Sequence, residues 1–110
     1  MAAYTYIVTN PGRKVLYVGV TNDLRRRIVE HYLERGSQKS FAGRYYCFNL
    51  IWYDSFPSMH EAIQAEKRIK GKKRKWKEDL VSQINPSWNF LNKEVLGEWP
   101  PNKTQPPKSS

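Results

Sequence analysis

Cysteine is almost absent from this chain: among 110 residues only Cys47 carries a thiol. No intrachain disulfide can form, which fits a reducing, cytoplasmic setting. Histidine is nearly as scarce, and His31 and His60 beside a single cysteine exclude the Cys/His set that holds a structural zinc. Long hydrophobic runs are missing too. No stretch approaches the roughly 18 apolar residues of a membrane-spanning helix. The N-terminus lacks the basic segment and apolar core of a secretion signal. The expectation is a soluble intracellular protein with no membrane partner. Acidic residues are the minority, 10 against 19 Lys and Arg, for a net charge of +9 and a pI near 9.8. Such a balance favours a polyanionic partner, either nucleic acid or an anionic surface, and charge alone does not choose between them.

What is present is enough for one compact domain, because a chain of this length buries roughly two-thirds of its unfolded surface. Residues 1–96 are expected to form it, with the Pro-, Lys- and Ser-rich residues 97–110 as a disordered tail. There is no internal repeat. Residues 4–9 and 15–20 are β-branched and aromatic, and Asn10-Pro11-Gly12 between them signals a hairpin. A centre near residue 11 or 12 puts Val8 opposite Val15 and Tyr6 opposite Tyr17, both tyrosines on one face. Thr21-Asn22-Asp23 can cap a helix over about residues 23–35, with Gly36 as its stop. Leu24, Ile28 and Tyr32 form its apolar stripe, and Arg27 and His31, four apart, share one edge of that stripe. Residues 36–44 look like a loop, and Cys47 to Phe56 like a third, largely buried strand. Ser58 with Glu61 forms a capping box for a helix with apolar positions Met59, Ala62, Ile63 and Ile69, ended or kinked by Gly71. A further helix is expected over about residues 73–84.

Glu66 falls near the middle of the apolar stripe of that capped helix, where a carboxylate is costly unless it is paired or binds a metal. Tyrosine, arginine, histidine and a lone carboxylate are the parts needed for metal-assisted cleavage of a phosphodiester. Each has a plainer alternative. Tyr6 and Tyr17 suit strands, Arg27 belongs to the run Arg25 to Arg27, His31 suits a structural hydrogen bond, and Glu66 suits a buried pair with Arg27 or a lysine. The segment Lys67 to Lys77 holds eight basic residues in eleven, suited to a nucleic-acid backbone or to a solvated helix face.

The order Tyr17-Val18-Gly19, Arg27, Glu30-His31, then Glu61-Ala62, Glu66-Lys67, Lys70-Gly71 and Asn85-Pro86-Ser87-Trp88 resembles the GIY-YIG nuclease family. The likeness is to its small stand-alone bacterial branch, similar to the N-terminal nuclease domain of excinuclease C, and covers about residues 3–91. The resemblance implies an α+β fold, a three-stranded antiparallel sheet flanked by helices. It matches Tyr6 and Tyr17 to the two name-giving tyrosines, Arg27 to the catalytic arginine and His31 to the His/Tyr position one turn later. Glu66 matches the glutamate that holds Mg²⁺ or Mn²⁺, and Asn89 lies where an Asn or Asp often sits. Two departures stand out. Tyr4-Thr5 replaces Gly-Ile in the first motif, and Val20 stands where excinuclease relatives carry a lysine that assists tyrosine deprotonation.

The expected activity is therefore metal-dependent hydrolysis of DNA phosphodiester bonds, in repair, recombination or branched-DNA processing. A nearby cation, or a metal bound alongside, must favour the phenolate, since an unperturbed tyrosine with a pKa of about 10 is a poor base at neutral pH. Tyr6 and Tyr17 qualify equally for that task. Arg25, Arg26, Lys67, Lys70, Lys72, Lys73, Arg74, Lys75 and Asn89 are the expected nucleic-acid contacts, and recognition is expected to follow DNA shape more than sequence. A binding module that no longer cuts, or a subunit that needs a targeting protein or a homodimer, are the competing expectations.

Overall fold

The structure, a computed structural model, describes residues 2–101; residues 102–110 of the expected tail lie outside the described residues. Strands β1 (Ala3–Thr9) and β2 (Leu16–Thr21) lead into helix α1 (Leu24–Leu33) and the short α2 (Phe41–Arg44). Strand β3 (Asn49–Phe56) follows, then helices α3 (Met59–Lys70), α4 (Arg74–Ile84) and α5 (Asn92–Leu96). The sheet order is β2-β1-β3, with both pairings antiparallel. This is the three-stranded α+β architecture expected from the sequence.

The hairpin register differs from the expected one by two residues: Val8 pairs with Tyr17, and Tyr6 with Gly19. The cause is a wider turn. The Asn10 side-chain oxygen accepts from the backbone N–H of Lys14 at 2.8 Å and of Val15 at 3.0 Å, and the Thr9 hydroxyl donates to the Val15 carbonyl at 2.7 Å. Val15 is thereby held in the turn and does not face Val8. A slip of two keeps each side chain on its face, so Tyr6 and Tyr17 remain on one side of the sheet.

Local caps formed where the sequence offered them. Asp23 accepts from the Arg26 N–H at 3.1 Å, and Ser58 accepts from the Glu61 N–H at 3.3 Å while donating to the Glu61 carboxylate at 3.0 Å. Two expectations are corrected. The stretch 36–44 contains α2, whose Ser40 hydroxyl caps the Gly43 N–H at 3.0 Å; four residues carry no period from which to infer a helix. Strand β3 begins at Asn49 and not at Cys47, because Tyr46 has a φ of +58° and the Cys47 N–H is bound to the Ala42 carbonyl at 2.8 Å. Its burial is also partial, since Tyr53, Asp54 and Ser55 are exposed.

The two faces of the sheet carry separate cores. Tyr6, Val8, Leu24, Ile28, Ala42, Cys47 and Leu50 pack on the α1 side. Ile7, Val18, Ile51, Trp52, Ile69 and Val81 pack under α3 and α4. The Thr5 hydroxyl donates to the Ala62 carbonyl at 2.7 Å and ties α3 to β1. The chain after α4 runs back along β3. Asn85 donates to the Ile51 carbonyl at 2.9 Å, the Leu91 N–H to the Leu50 carbonyl at 2.7 Å, and buried Asn92 bonds the Leu50 N–H and the Phe48 carbonyl, both at 2.8 Å. These contacts occupy an edge that would otherwise offer unpaired backbone groups. Beyond α5, the Trp99 ring stands edge-on to Tyr32 of α1, with centroids 5.1 Å apart.

Candidate active site

Strands β1 and β2 present Tyr6 and Tyr17 on the face covered by α1, and α1 adds His31 and Arg27. The Tyr6 hydroxyl lies 2.7 Å from Nε2 of His31. The imidazole stands edge-on to both tyrosines, with ring centroids 5.6 Å from Tyr6 and 5.7 Å from Tyr17. Tyr6 reaches that position by crossing its β2 partner, Gly19. A Cβ at residue 19 would overlap the Tyr6 hydroxyl oxygen and stand 2.9 Å from its Cε1. The glycine of the Tyr17-Val18-Gly19 triplet is therefore a steric requirement for the tyrosine of the opposite strand. Sequence spacing alone did not reveal that role.

Burial separates the two tyrosines. Tyr6 is 1 % exposed, and desolvation holds its phenol well above the usual tyrosine range despite the opposing charge of Arg27. Burial, aided by the same Arg27 charge, pulls His31 down to about 3. Both shifts favour a phenol donating to Nε2 of a neutral imidazole. Arg27 is itself penalised by desolvation, but Tyr6, Glu30 and Glu34 outweigh that penalty and keep it cationic. Its guanidinium is 3.1 Å from Glu30 and 4.0 Å from Glu34 while remaining partly open to solvent. Tyr17 is only half-buried. Of the two phenols it is the one solvent can approach.

Glu66 sits on the flank of α3, beside the buried Ala62, Ala65 and Ile69, rather than in the middle of a buried stripe. Its side chain is largely buried, 14 % exposed, although Met59 and Ile63 of the expected stripe are not core residues. One Glu66 oxygen is 2.9 Å from the ammonium of Lys70, one turn on. That ammonium lies 5.7 Å from the centroid of the Tyr17 ring. Its charge is reinforced chiefly by the hydrogen bond to Glu66. Lys70 thus connects the carboxylate to the tyrosine cluster and sets a cation beside Tyr17, a task that Val20 cannot perform.

Among the described residues, no three His, Cys, Asp or Glu side chains gather into a cage. A single carboxylate of this kind suits Mg²⁺, which retains much of its water and takes one or two carboxylates together with substrate phosphate. Cys47 contributes nothing to such a site. It is buried, and desolvation pushes its thiol up to about 11.

The basic residues divide by what they already hold. Arg25 donates to the carbonyls of Val95 at 2.7 Å and Leu96 at 3.4 Å, fastening the C-terminal end of α5 to α1. Arg74 donates to the Lys14 carbonyl at 2.5 Å and pairs with Glu78 at 2.9 Å, fastening the hairpin turn to α4. Both are anchors within the fold. Arg26 makes only a loose 3.6 Å pair with Glu30, and Lys67, Lys72, Lys73 and Lys75 are exposed, Lys75 within 3.1 Å of Asp79, which is also exposed. Asn89 lies against Ile51, Trp52 and Leu91 beside β3, at the opposite edge of the sheet from Tyr17. Its segment is held there by Asn85, which accepts from the Asn89 N–H at 3.0 Å.

Comparison with known proteins gives consistent findings. The GIY-YIG catalytic domain matches residues 2–79. A UPF0213 protein of Vibrio parahaemolyticus is 41 % identical over 76 residues, covering 69 % of this chain and 69 % of that protein. A UPF0213 protein of Streptococcus pneumoniae is 37 % identical over 76 residues, covering 69 % of this chain and 74 % of its own length. The solution NMR structure of a UPF0213 protein from Bacillus halodurans superposes with a TM-score of 0.52 at 33 % identity, covering 84 % of this chain and 96 % of that one.

Proposed function

This chain belongs to the GIY-YIG family of nucleases, and from that premise we propose that it is a metal-dependent endonuclease hydrolysing DNA phosphodiester bonds. The observation that carries the reading is the joining of Tyr6, His31, Tyr17 and Arg27 on one sheet face, with Lys70 linking Glu66 to Tyr17. These are the groups a phosphodiester hydrolase needs, contributed by four different elements.

The roles follow from exposure and charge. Arg27, cationic and still partly open to solvent, receives the charge that gathers on the phosphoryl oxygens in the transition state. Tyr17, half-buried with the Lys70 ammonium beside it, orients the attacking water and, as the phenolate, takes its proton to become the phenol. Tyr6 and neutral His31 form a fixed, buried support that holds the Tyr17 ring edge in place. Glu66 would hold Mg²⁺ or Mn²⁺, which when bound supplies Lewis-acid stabilisation to a non-bridging oxygen and to the leaving oxyanion. The exposed Arg26, Lys67, Lys72, Lys73 and Lys75 hold the phosphate backbone without reading bases, which suits the branched or damaged DNA of repair and recombination.

End-labelled duplex, flap, junction and single-stranded DNAs incubated with Mg²⁺, Mn²⁺ or EDTA test the proposal. Cutting by the wild type that requires metal and is lost in Glu66→Ala, with binding retained within a few-fold, supports it. Arg27→Ala lowers turnover before affinity. Binding without cutting by the wild type would instead make the protein a binding module or a partner-dependent subunit.

A further inference from the structure

The aromatic contacts of the site do not stop at Tyr17. Phe41 of α2 stacks on the Tyr17 ring with centroids 6.2 Å apart and planes 25° from parallel, and Tyr45 lies 4.8 Å beyond Phe41. With Tyr6 and His31 this makes a continuous run of five rings, from two that are closed inside the fold to Phe41 and Tyr45, which are 49 % and 44 % exposed. The exposed end is not loose. The Gly36 N–H donates to the Gly43 carbonyl and the Cys47 N–H to the Ala42 carbonyl, both at 2.8 Å, while Ala42 is buried in the core.

We propose that Phe41 and Tyr45 form a shelf on which an unpaired nucleotide stacks beside the phosphate to be cut, so that the preferred substrate carries a single-stranded arm rather than being an uninterrupted duplex. The proposal rests on the nuclease reading of the adjoining site. The occupant is indicated by charge. No acidic residue occurs between Arg35 and Tyr53, and the shelf is flanked by exposed Lys39 and by Arg44, which donates to the Gln38 carbonyl at 3.2 Å. A segment whose exposed aromatic faces are interleaved with cations, and which carries no carboxylate of its own, matches a base and its phosphates. A base within a continuous duplex already has both faces covered by its neighbours, whereas an unpaired base does not. Direct contact of Phe41 with Tyr17 places a stacked base next to the reacting groups.

The test uses fluorescence anisotropy with two labelled DNAs of the same sequence, a blunt duplex and the same duplex with a single-stranded 5′ arm, in EDTA so that neither is cut. The wild type binds the armed DNA about tenfold more tightly, the scale of one base–aromatic stack. Phe41→Ala and Tyr45→Ala bring that ratio toward one, while Phe41→Trp and Tyr45→Phe retain it. If Phe41→Ala fails to fold, Tyr45→Ala carries the test, because its ring packs on Phe41 rather than on Tyr17. A wild-type ratio near one, or alanine variants that keep the wild-type ratio, overturns the proposal. So does sedimentation showing a wild-type dimer that dissociates in Tyr45→Ala, which would make the shelf a self-association surface. Cutting in Mg²⁺ is scored separately. Arm preference without cutting supports the shelf and removes the nuclease reading, and cutting without arm preference does the reverse.

Discussion

His31 gives the fold a built-in sensitivity to acid. Its imidazole is buried at 3 % exposure, and burial with the Arg27 charge lowers it to about 3, against about 6.5 in an unfolded chain. The unfolded state therefore binds the extra proton as pH falls below about 6.5, and the folded state does not until about pH 3. Stability contributed by the neutral ring is complete above that upper limit and is lost progressively down to the lower one. Between about pH 7.5 and about pH 4.5, urea unfolding of the wild type should lose roughly 2–3 kcal/mol more than that of His31→Gln, which has no group to titrate. Equal losses in the two proteins would show that His31 is not buried in its neutral form. At this scale the sequence named residues that the fold brings together, but not how their surroundings differ. Tyr6 and Tyr17 were equivalent by spacing. They differ because α1 covers one of them, and because the Lys70 ammonium stands beside the other.

Elements explain why the site has the shape it has. Tyr6 can lie over β2 only because its cross-strand partner is Gly19, and both the ring and the strand beneath it are closed in. Gly19→Ala should push the phenol off His31. Overpacking of a closed core costs about 1–3 kcal/mol, so a clear fall in melting temperature together with loss of cleavage is expected. Thermal unfolding with a cleavage assay on the same preparation checks this, and a variant with wild-type stability and activity would show that the Tyr6 ring yields. The two-residue shift of the hairpin has the same origin in local geometry. Asn10 captures the N–H groups of Lys14 and Val15, so the pairing begins later than the Asn10-Pro11-Gly12 signal suggested. Helix caps at Asp23 and Ser58 were legible because capping joins near neighbours in sequence. Helix α2 was not, because four residues carry no period, and the Ser40 cap alone does not announce a helix.

The whole molecule carries a net charge of +9, but its cations are not interchangeable. Lys72, Lys73 and Lys75 are exposed around the start of α4, next along the chain from Lys70, whereas Arg74 between them is engaged by the Lys14 carbonyl and Glu78. Replacing the three lysines together by alanine should weaken binding to all DNAs alike. It should also flatten the dependence of log affinity on log salt concentration by about 2–3 units, roughly 0.9 for each phosphate no longer neutralised. Arg74→Ala should instead lower stability, with a smaller change in that slope. Titrations across a range of salt concentrations, paired with thermal unfolding, separate the two outcomes. An unchanged slope in the triple variant would move the DNA-binding face away from α4.

The order of motifs, the capping residues, the alternation that places both tyrosines on one face and the excess of positive charge are all set within short stretches of chain, and the sequence determined them by itself. Membership of the GIY-YIG family is of the same kind, since it depends on residues in order. The tertiary structure decided the rest. It settled the strand register, the closing of Tyr6 against His31 over Gly19 and the setting of Lys70 beside Tyr17. It also separated cations that anchor the fold, Arg25 and Arg74, from those left to solvent. The physical reason is distance along the chain. Arg25 meets the carbonyls of Val95 and Leu96, and Arg74 meets that of Lys14, across separations at which no local period or cap carries information about the partner.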